Sequence, residues 1–500
     1  MKNIKIFTIL AFILLMGNAC KKSNLVVENF NNPDFDDVYA SGTNVAGIAG
    51  GLYTSVFNSS HSEGGVALML GTAADQITCS YGNFGMRDMS YETRDFAWNN
   101  TAAYSYNTQT KNYFDGQYSP IVTASLIAKS VNAGTIFPTS TPGAKATLAF
   151  ARFIMGVGHG NIALVFDRGF VVDENVGSEG KLSDAVSYND LATTALKNLD
   201  EAIAISNANT FTIPASWLSS DAAMSNVQFA KLCNTYAAKL MAYLPRNKAQ
   251  LATVNWAKVK TYADAGITTD FNVVMDDVKI GDNTGYYGGQ GNDTWARTDM
   301  YVVNLMDPAQ PAHWDDLATF PTPPKSTNPP DKRLLSDFEY LPSNSFIAAR
   351  GYYHFSNYRG KRYDAIYVQD LWAGSKPEVM KAENDMLRAE ARLYGSDLAG
   401  AAAIINAGTR VTRGQLAPVA AVAADLTKAI HVERMVEMGF TGANLAFYEM
   451  RKLNFLQKGT PLHMPLPAKT LETIAAPAPF YTFGTTAKAD GINTSNAGWR

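Results

Sequence analysis

The sequence predicts a mainly α protein built of stacked, tetratricopeptide-like helical hairpins, interrupted by one irregular, loop-rich insertion that carries short strands. Three observations lead there. Apolar residues recur at spacings of three and four, the mark of one buried face per helix. The helices so marked are alanine-rich and mostly come in consecutive pairs with short connections, and small side chains let neighbouring helices approach closely. Between residues 270 and 375 the helical period disappears in favour of Gly, Asn, Asp, Pro and aromatic residues. No strict repeat is legible, so periodicity alone supports stacked hairpins and no finer register.

At the amino terminus Lys2 and Lys5 precede an apolar run from Ile6 to Met16, and Gly17, Asn18, Ala19 and Cys20 follow. A basic start, a short apolar run and small residues make a secretory signal. The run is shorter than the roughly 20 apolar residues that span a bilayer as a helix. Residues 1–19 are therefore read as a signal peptide that is removed. Cys20 stands where a bacterial lipobox has its acylated cysteine, and the stretch resembles one, with Gly17 in place of the usual aliphatic residue. Each buried acyl methylene contributes about 0.8 kcal/mol, and more than one chain gives stable anchoring. The polar segment KKSNLVVENFNNPDFDD then makes residues 20–40 a lipidated tether.

The chain has 500 residues, 46% of them hydrophobic and 17% charged, with a formal net charge of -3, enough to bury a large core. That balance argues against nucleic acid as a partner, which would need a strongly basic surface. Cys79 and Cys233 are either two buried free thiols or one disulfide, and a single pair is not a disulfide framework.

The clearest helix runs from Tyr188 to Ile205, with Leu191, Ala195, Leu199, Ala202 and Ile203 on one side and Ser187 placed to cap it. The same period marks Ala144 to Phe166, Asn226 to Leu244, Asn255 to Ala265, Ala382 to Tyr394, Asp397 to Asn406 and Ala424 to Phe440. In the helix before Gly395, Leu387, Ala391 and Tyr394 share a face while Arg388 and Glu390 are expected to point away. Glu433 and Arg434 are placed to pair with Arg451 or Glu449 across the turn at Gly439 to Gly442. The domain reading is 41–270 for the N-terminal helical region, 271–375 for the insertion and 376–500 for the C-terminal helices and closing segment.

Three stretches resemble conserved segments of the SusD/RagB family of outer-membrane nutrient-binding lipoproteins. They are AKATLAFARFIMGVGHGNIALVFDRG, ENDMLRAEARLYGSDLAGAAAIINAGTRVTRG, and HVERMVEMGFTGANLAFYEMRKLNF followed by PLHMPLPAKTL, and their order and spacing also agree with the family. The resemblance implies a non-enzymatic capture protein of a Bacteroidota-type bacterium. It would be held at the outer membrane by its lipid and exposed at the cell surface, although Lys21, Lys22 and Ser23 stand where exported relatives often carry acidic residues. It also implies a SusC-like TonB-dependent transporter as partner, and an oligosaccharide as ligand, with a RagB-like peptide ligand as the alternative.

The insertion is where binding groups are expected, since loops held by a rigid scaffold commonly carry them. A pyranose presents an apolar C–H face that stacks on aromatic rings, while its hydroxyls need amides, carboxylates and guanidinium groups alongside. GDNTGYYGGQGNDTW and the residues after it supply both kinds in Tyr286, Tyr287, Asn292, Asp293, Trp295 and Arg297. Trp314, beside His313 and Asp315, forms a second cluster, and Asp75, Tyr81, Asn83, Phe84 and Trp98 form a third, earlier one. In starch-binding members of the family an early loop and a late insertion together make the sugar platform, and the layout here is similar. Trp217, Trp256 and Trp372 are expected in the core.

Catalytic signatures are scarce. The chain has no Gly-x-Ser-x-Gly, His-Glu-x-x-His, Walker loop or Cys-x-x-Cys, and its six histidines lack ligand spacing. GVGHGN at 156–161 lacks the dinucleotide fingerprint and reads as a flexible helix terminus. Widely separated paired carboxylates on a helical scaffold, as in a secreted glycoside hydrolase, stay open as the enzymatic alternative. No cofactor and no catalytic metal are expected; structural calcium at Asp34 to Asp37 or at Met275 to Asp277 is the one metal considered.

Overall fold

A computed structural model describes residues 35–79, 83–90, 98–175, 184–291, 294, 296–313, 322–343, 355–370, 372–482, 494–496 and 498–499. The signal segment and Cys20 lie outside the described residues. Phe35–Ala40 is already helical, so the helical body starts before the expected end of the tether at residue 40.

The scaffold elements used below are α1 (Leu52–His61), α2 (Ala67–Ala73), α3 (Asn107–Asn132), α4 (Gly143–Val165), α5 (Tyr188–Ala208), α6 (Asn226–Tyr243) and α7 (Trp256–Asp264). After the insertion, whose short helix α8 is Asn283–Tyr287, come α9 (Lys381–Tyr394), α10 (Leu398–Ala407), α11 (Ala423–Val436) and α12 (Leu445–Lys452). Helices α3 to α6 pack in series, each on the next, and α7 continues through α9 to α10. The fold is mainly α, of stacked helical hairpins. Its principal hydrophobic core runs continuously from Val45 to Leu471, so the regions before and after the insertion are not separate cores.

Local chemistry explains the helix starts. Ser187 accepts from the Asp190 amide to cap α5, Ser225 and Gln228 form a capping box on α6, and Asn255 accepts from the Lys258 amide on α7. The long helix α3 was not evident in the sequence because Pro120 sits inside it, where it removes one backbone donor.

Helix α4 is long and apolar enough to cross a membrane by length and composition, and it is the buried central helix of the stack. Its glycines are not a flexible terminus as expected; they lie mid-helix, where neighbours press close. A Cβ on Gly156 would stand 2.7 Å from Leu199 of α5, and one on Gly158 2.5 Å from Ile121 of α3.

Five pairs of short antiparallel strands decorate the helices among the described residues. Three matter here. In the first, β1 (Ile77–Cys79) pairs with β3 (Ala296–Thr298), tying the early loop to the insertion. In the second, β2 (Phe271–Asp276) pairs with β6 (Ala373–Val379), so the two ends of the insertion close on each other. The third joins β4 (Phe338–Tyr340) to β5 (Tyr358–Gly360) within the insertion.

Buried charges lock the carboxyl-terminal helices. Arg434 donates to Glu390 at 2.7 Å and to Glu449 at 2.8 Å, and Lys452 reaches Glu390 at 2.7 Å. Glu390 is thus buried and paired, where an outward position was expected, because two cations meet it on the face toward α11 and α12. The expected Arg434–Glu449 pair is present. Glu433 instead holds Arg333 from the insertion at 2.7 Å, and Arg451 donates to the carbonyls of Leu164, Leu462 and Tyr243. Cys79 and Cys233 are buried and form no disulfide with each other, and burial pushes the Cys233 thiol well up.

Candidate functional site

The expected site residues separate into three groups. Tyr81, Asn292, Trp295 and Trp314 lie outside the described residues, as do Asp293 and Asp315. Asp75, Trp98 and Arg297 are interior residues. Asp75, 1% exposed, accepts from Gln457 Nε2 at 2.9 Å and from Trp499 Nε1 at 2.7 Å, tying the early turn to the end of the chain. Trp98, 2% exposed, packs edge-on against Tyr104 and offers no ring face for stacking. Arg297, 1% exposed, lies on β3 with its guanidinium over the Phe355 ring. Their burial makes all three structural parts of the early loop and the β1–β3 pair. Tyr286 and Tyr287 form the third group and are half-buried.

These two tyrosines belong to a contiguous set of four rings. Tyr286 and Tyr287 meet edge-on at 5.0 Å, Trp372 packs on Tyr286 at 4.6 Å, and Phe84 approaches Tyr287 at 5.2 Å. Phe84 comes from the early loop, the tyrosines from α8, and Trp372 from the approach to β6; the β1–β3 and β2–β6 pairs bring them together. All four rings are half-buried. Beneath Phe84 and Tyr287 lies a small apolar cluster of Leu68, Ile77, Cys79 and Met86. The Glu63 carboxylate accepts from Asn283 Nδ2 nearby; burial and the charge of Glu63 raise the Tyr287 phenol above its usual range.

Phe84 (φ 56°) and Trp372 (φ 73°) both have left-handed backbones. For a bulky L-residue that conformation costs about 1–2 kcal/mol, and such strain concentrates where surrounding structure holds a side chain for a purpose. Trp372 was expected in the core and is instead half-buried at its edge, as part of this set. Its sequence setting was the available signal: it lies inside the aperiodic stretch 270–375, two residues before Gly374, whose φ is 140°.

A buried ionic cluster fixes α8 from behind. Asp282 caps the helix by accepting from the Gly285 amide at 2.9 Å, and it also accepts from Tyr367 at 2.7 Å and from Lys376. His61, at the end of α1, stands between Asp282 at 3.3 Å and Glu378 at 2.8 Å. Burial opposes the imidazolium charge, but the two carboxylates outweigh it and carry its pKa up to about 9. Burial likewise opposes the Asp282 charge, yet Lys376 and His61 hold that carboxyl well below its usual range. Only glycine fits at 285, where a Cβ would stand 2.1 Å from the Tyr367 hydroxyl. Of the acidic residues considered for calcium, Asp276 folds back to accept from the amides of Val278, Lys279 and Ile280, closing the turn after β2.

Comparison with known proteins bears on the fold. No family model matches the sequence, and no curated protein matches it. Solved structures do. A SusD superfamily protein from Bacteroides vulgatus superposes with a TM-score of 0.56 at 13% identity, over 87% of this chain and 90% of that one. One from Parabacteroides distasonis gives 0.57 at 11% identity, over 84% and 96%. A second Bacteroides vulgatus protein, described as SusD-like and carbohydrate binding, gives 0.54 at 14% identity, over 80% and 82%. The chain has the SusD-like fold.

Proposed function

We propose that this chain is an outer-membrane lipoprotein, anchored through Cys20, that captures an oligosaccharide and delivers it to a SusC-like TonB-dependent transporter without breaking a bond. The observation that carries the reading is the four-ring set of Phe84, Tyr286, Tyr287 and Trp372, two of whose members are held at positive φ. Aromatic faces suit the C–H face of a sugar ring, and the neighbouring Glu63 and Asn283 supply the polar contacts that hydroxyls need. The buried cluster around Asp282 supports α8 from within, so that its tyrosines are preorganised before ligand arrives. The SusD-like fold, shared with a protein described as carbohydrate binding, supports the same ligand class.

The test is a glycan array run beside a peptide library on the wild-type chain and on Trp372→Ala. Glycan binding that weakens in the variant supports the reading. Binding to peptides alone would favour a RagB-like role, and release of shorter saccharides on incubation would make the chain a hydrolase. Replacing Cys20 by serine and following the chain through membrane fractionation tests the anchor; copurification with the transporter tests the partner.

A further inference from the structure

Behind α8, walled in part by Leu68 and Ile77 of the apolar cluster beneath Tyr287, lies a partly enclosed pocket of about 60 Å³. It has room for roughly four to six water molecules, at about 10–15 Å³ each, and so for a group of a few heavy atoms rather than a whole pyranose. Five of its wall residues are glycines, at positions 71, 285, 288, 439 and 442, which leave space that side chains would occupy.

One wall group is left wanting. Gln290 is 1% exposed, its amide donates to Gly285 and its carbonyl accepts from Arg359 at 2.7 Å, yet its side-chain Oε1 has no hydrogen-bond partner among the described residues. A buried carbonyl oxygen without a donor is costly, and a ligand that brings one removes that cost. The charges around the pocket already balance: His61 and Lys376 are matched by Asp282 and Glu378. A charged guest would upset that pairing, whereas a neutral one leaves it intact.

We propose that this pocket is a second binding site, which takes one small uncharged group carrying O–H or N–H donors, such as the hydroxymethyl or acetamido group of a saccharide, with Gln290 Oε1 as the acceptor. The saccharide as the source rests on the function proposed above; the preference for a small neutral donor rests on the pocket alone.

The structure offers a clean way to fill it. Gly71 lies within α2, and a Cβ there would meet the Ile77 side chain at 3.4 Å, an ordinary contact, so Gly71→Ala occupies the pocket without strain and favours the helix. Gln290→Met keeps the length of the side chain and removes the acceptor. Saturation-transfer NMR on the full chain with acetamide, ethylene glycol, N-acetylglucosamine and glucose reads binding directly. Acetamide reports the amide donor and ethylene glycol the hydroxyl donor; N-acetylglucosamine carries both and glucose only hydroxyls, so the difference between the two sugars reports the acetamido group. Signals are expected to fall about fivefold in Gln290→Met, the worth of one neutral hydrogen bond, to fall in Gly71→Ala because its methyl takes the space of the guest, and to persist in Trp372→Ala.

Wild-type signals in both pocket variants, at unchanged melting temperature, overturn the proposal, as does the absence of signal from all four probes with the wild-type chain. Loss in Trp372→Ala alone overturns the pocket and leaves the aromatic site standing. Loss in the pocket variants, with a glycan array that finds no ligand, leaves the pocket standing and removes the saccharide as its source.

Discussion

The ionic cluster behind α8 makes the stability of the chain depend on pH in a defined window. In the folded chain His61 keeps its proton up to about pH 9, whereas the unfolded chain releases it near 6.5. Between those values the unfolded state binds fewer protons, so raising the pH favours unfolding; below 6.5 the contribution of His61 is fully present. The difference between 6.5 and about 9 corresponds to roughly 3 kcal/mol at 1.36 kcal/mol per pH unit. The perturbation is His61→Gln, and the assay is urea unfolding at a series of pH values across the window. His61 is expected to cost the wild type about 3 kcal/mol from one end to the other, and the variant is expected to start lower and to lack that loss. The lower start follows because Asp282 and Glu378 keep their burial but lose a cation. Other groups that change in this range, including the buried Cys233 thiol, are present in both proteins, so the difference between the curves isolates His61. Parallel curves would refute the reasoning and mean that the carboxylates do not hold the proton.

Trp372→Ala is expected to weaken glycan binding by at least tenfold with little loss of stability, whereas Trp217→Ala, which empties a core position against Phe150, costs about 3–5 kcal/mol of stability; calorimetric titration and thermal melts separate the two. Arg434→Ala strands Glu390 and Glu449 in the interior and is expected to cost about 3–5 kcal/mol, against less than about 1 kcal/mol for Arg388→Ala at the solvent-facing pair with Asp264, both read from urea midpoints. Gly158→Ala forces a methyl into Ile121 of α3 and is expected to cost about 1–3 kcal/mol despite the gain in helix propensity; an unchanged melting temperature would mean that α3 yields freely.

The scaffold was largely legible because its rules are local. Ser187 caps its helix where the sequence put the cap, and every periodic segment from Tyr188 onward became a helix with ends shifted by a few residues, most at the last turn before Phe440. What escaped was set by tertiary contact. Helix α3 keeps Pro120 because the rest of the helix is clamped between α1 and α4, with Gln117 donating to Ser59 at 2.7 Å and Ser60 at 3.0 Å. Glu390 looked like a surface residue, since charge on a helix is usually solvated; only the arrival of Arg434 and Lys452 from helices far along the chain turns it inward.

The aromatic site shows the same division more sharply. Choosing aromatics in the insertion and in the early cluster found Tyr286, Tyr287 and Phe84 but also Trp98, whose ring is consumed by packing. Nothing local separates the two cases, because a half-buried ring and a fully buried one occur in the same kind of loop sequence. What separates them is strand pairing: β1 with β3 carries Phe84 toward α8, and β2 with β6 carries Trp372 there from the far end of the insertion. Without those two pairs the tyrosines would be a pair of rings on a five-residue helix. With them, Phe84 and Trp372 are held in backbone conformations that neither would adopt alone, and the chain presents four rings on a rigid base.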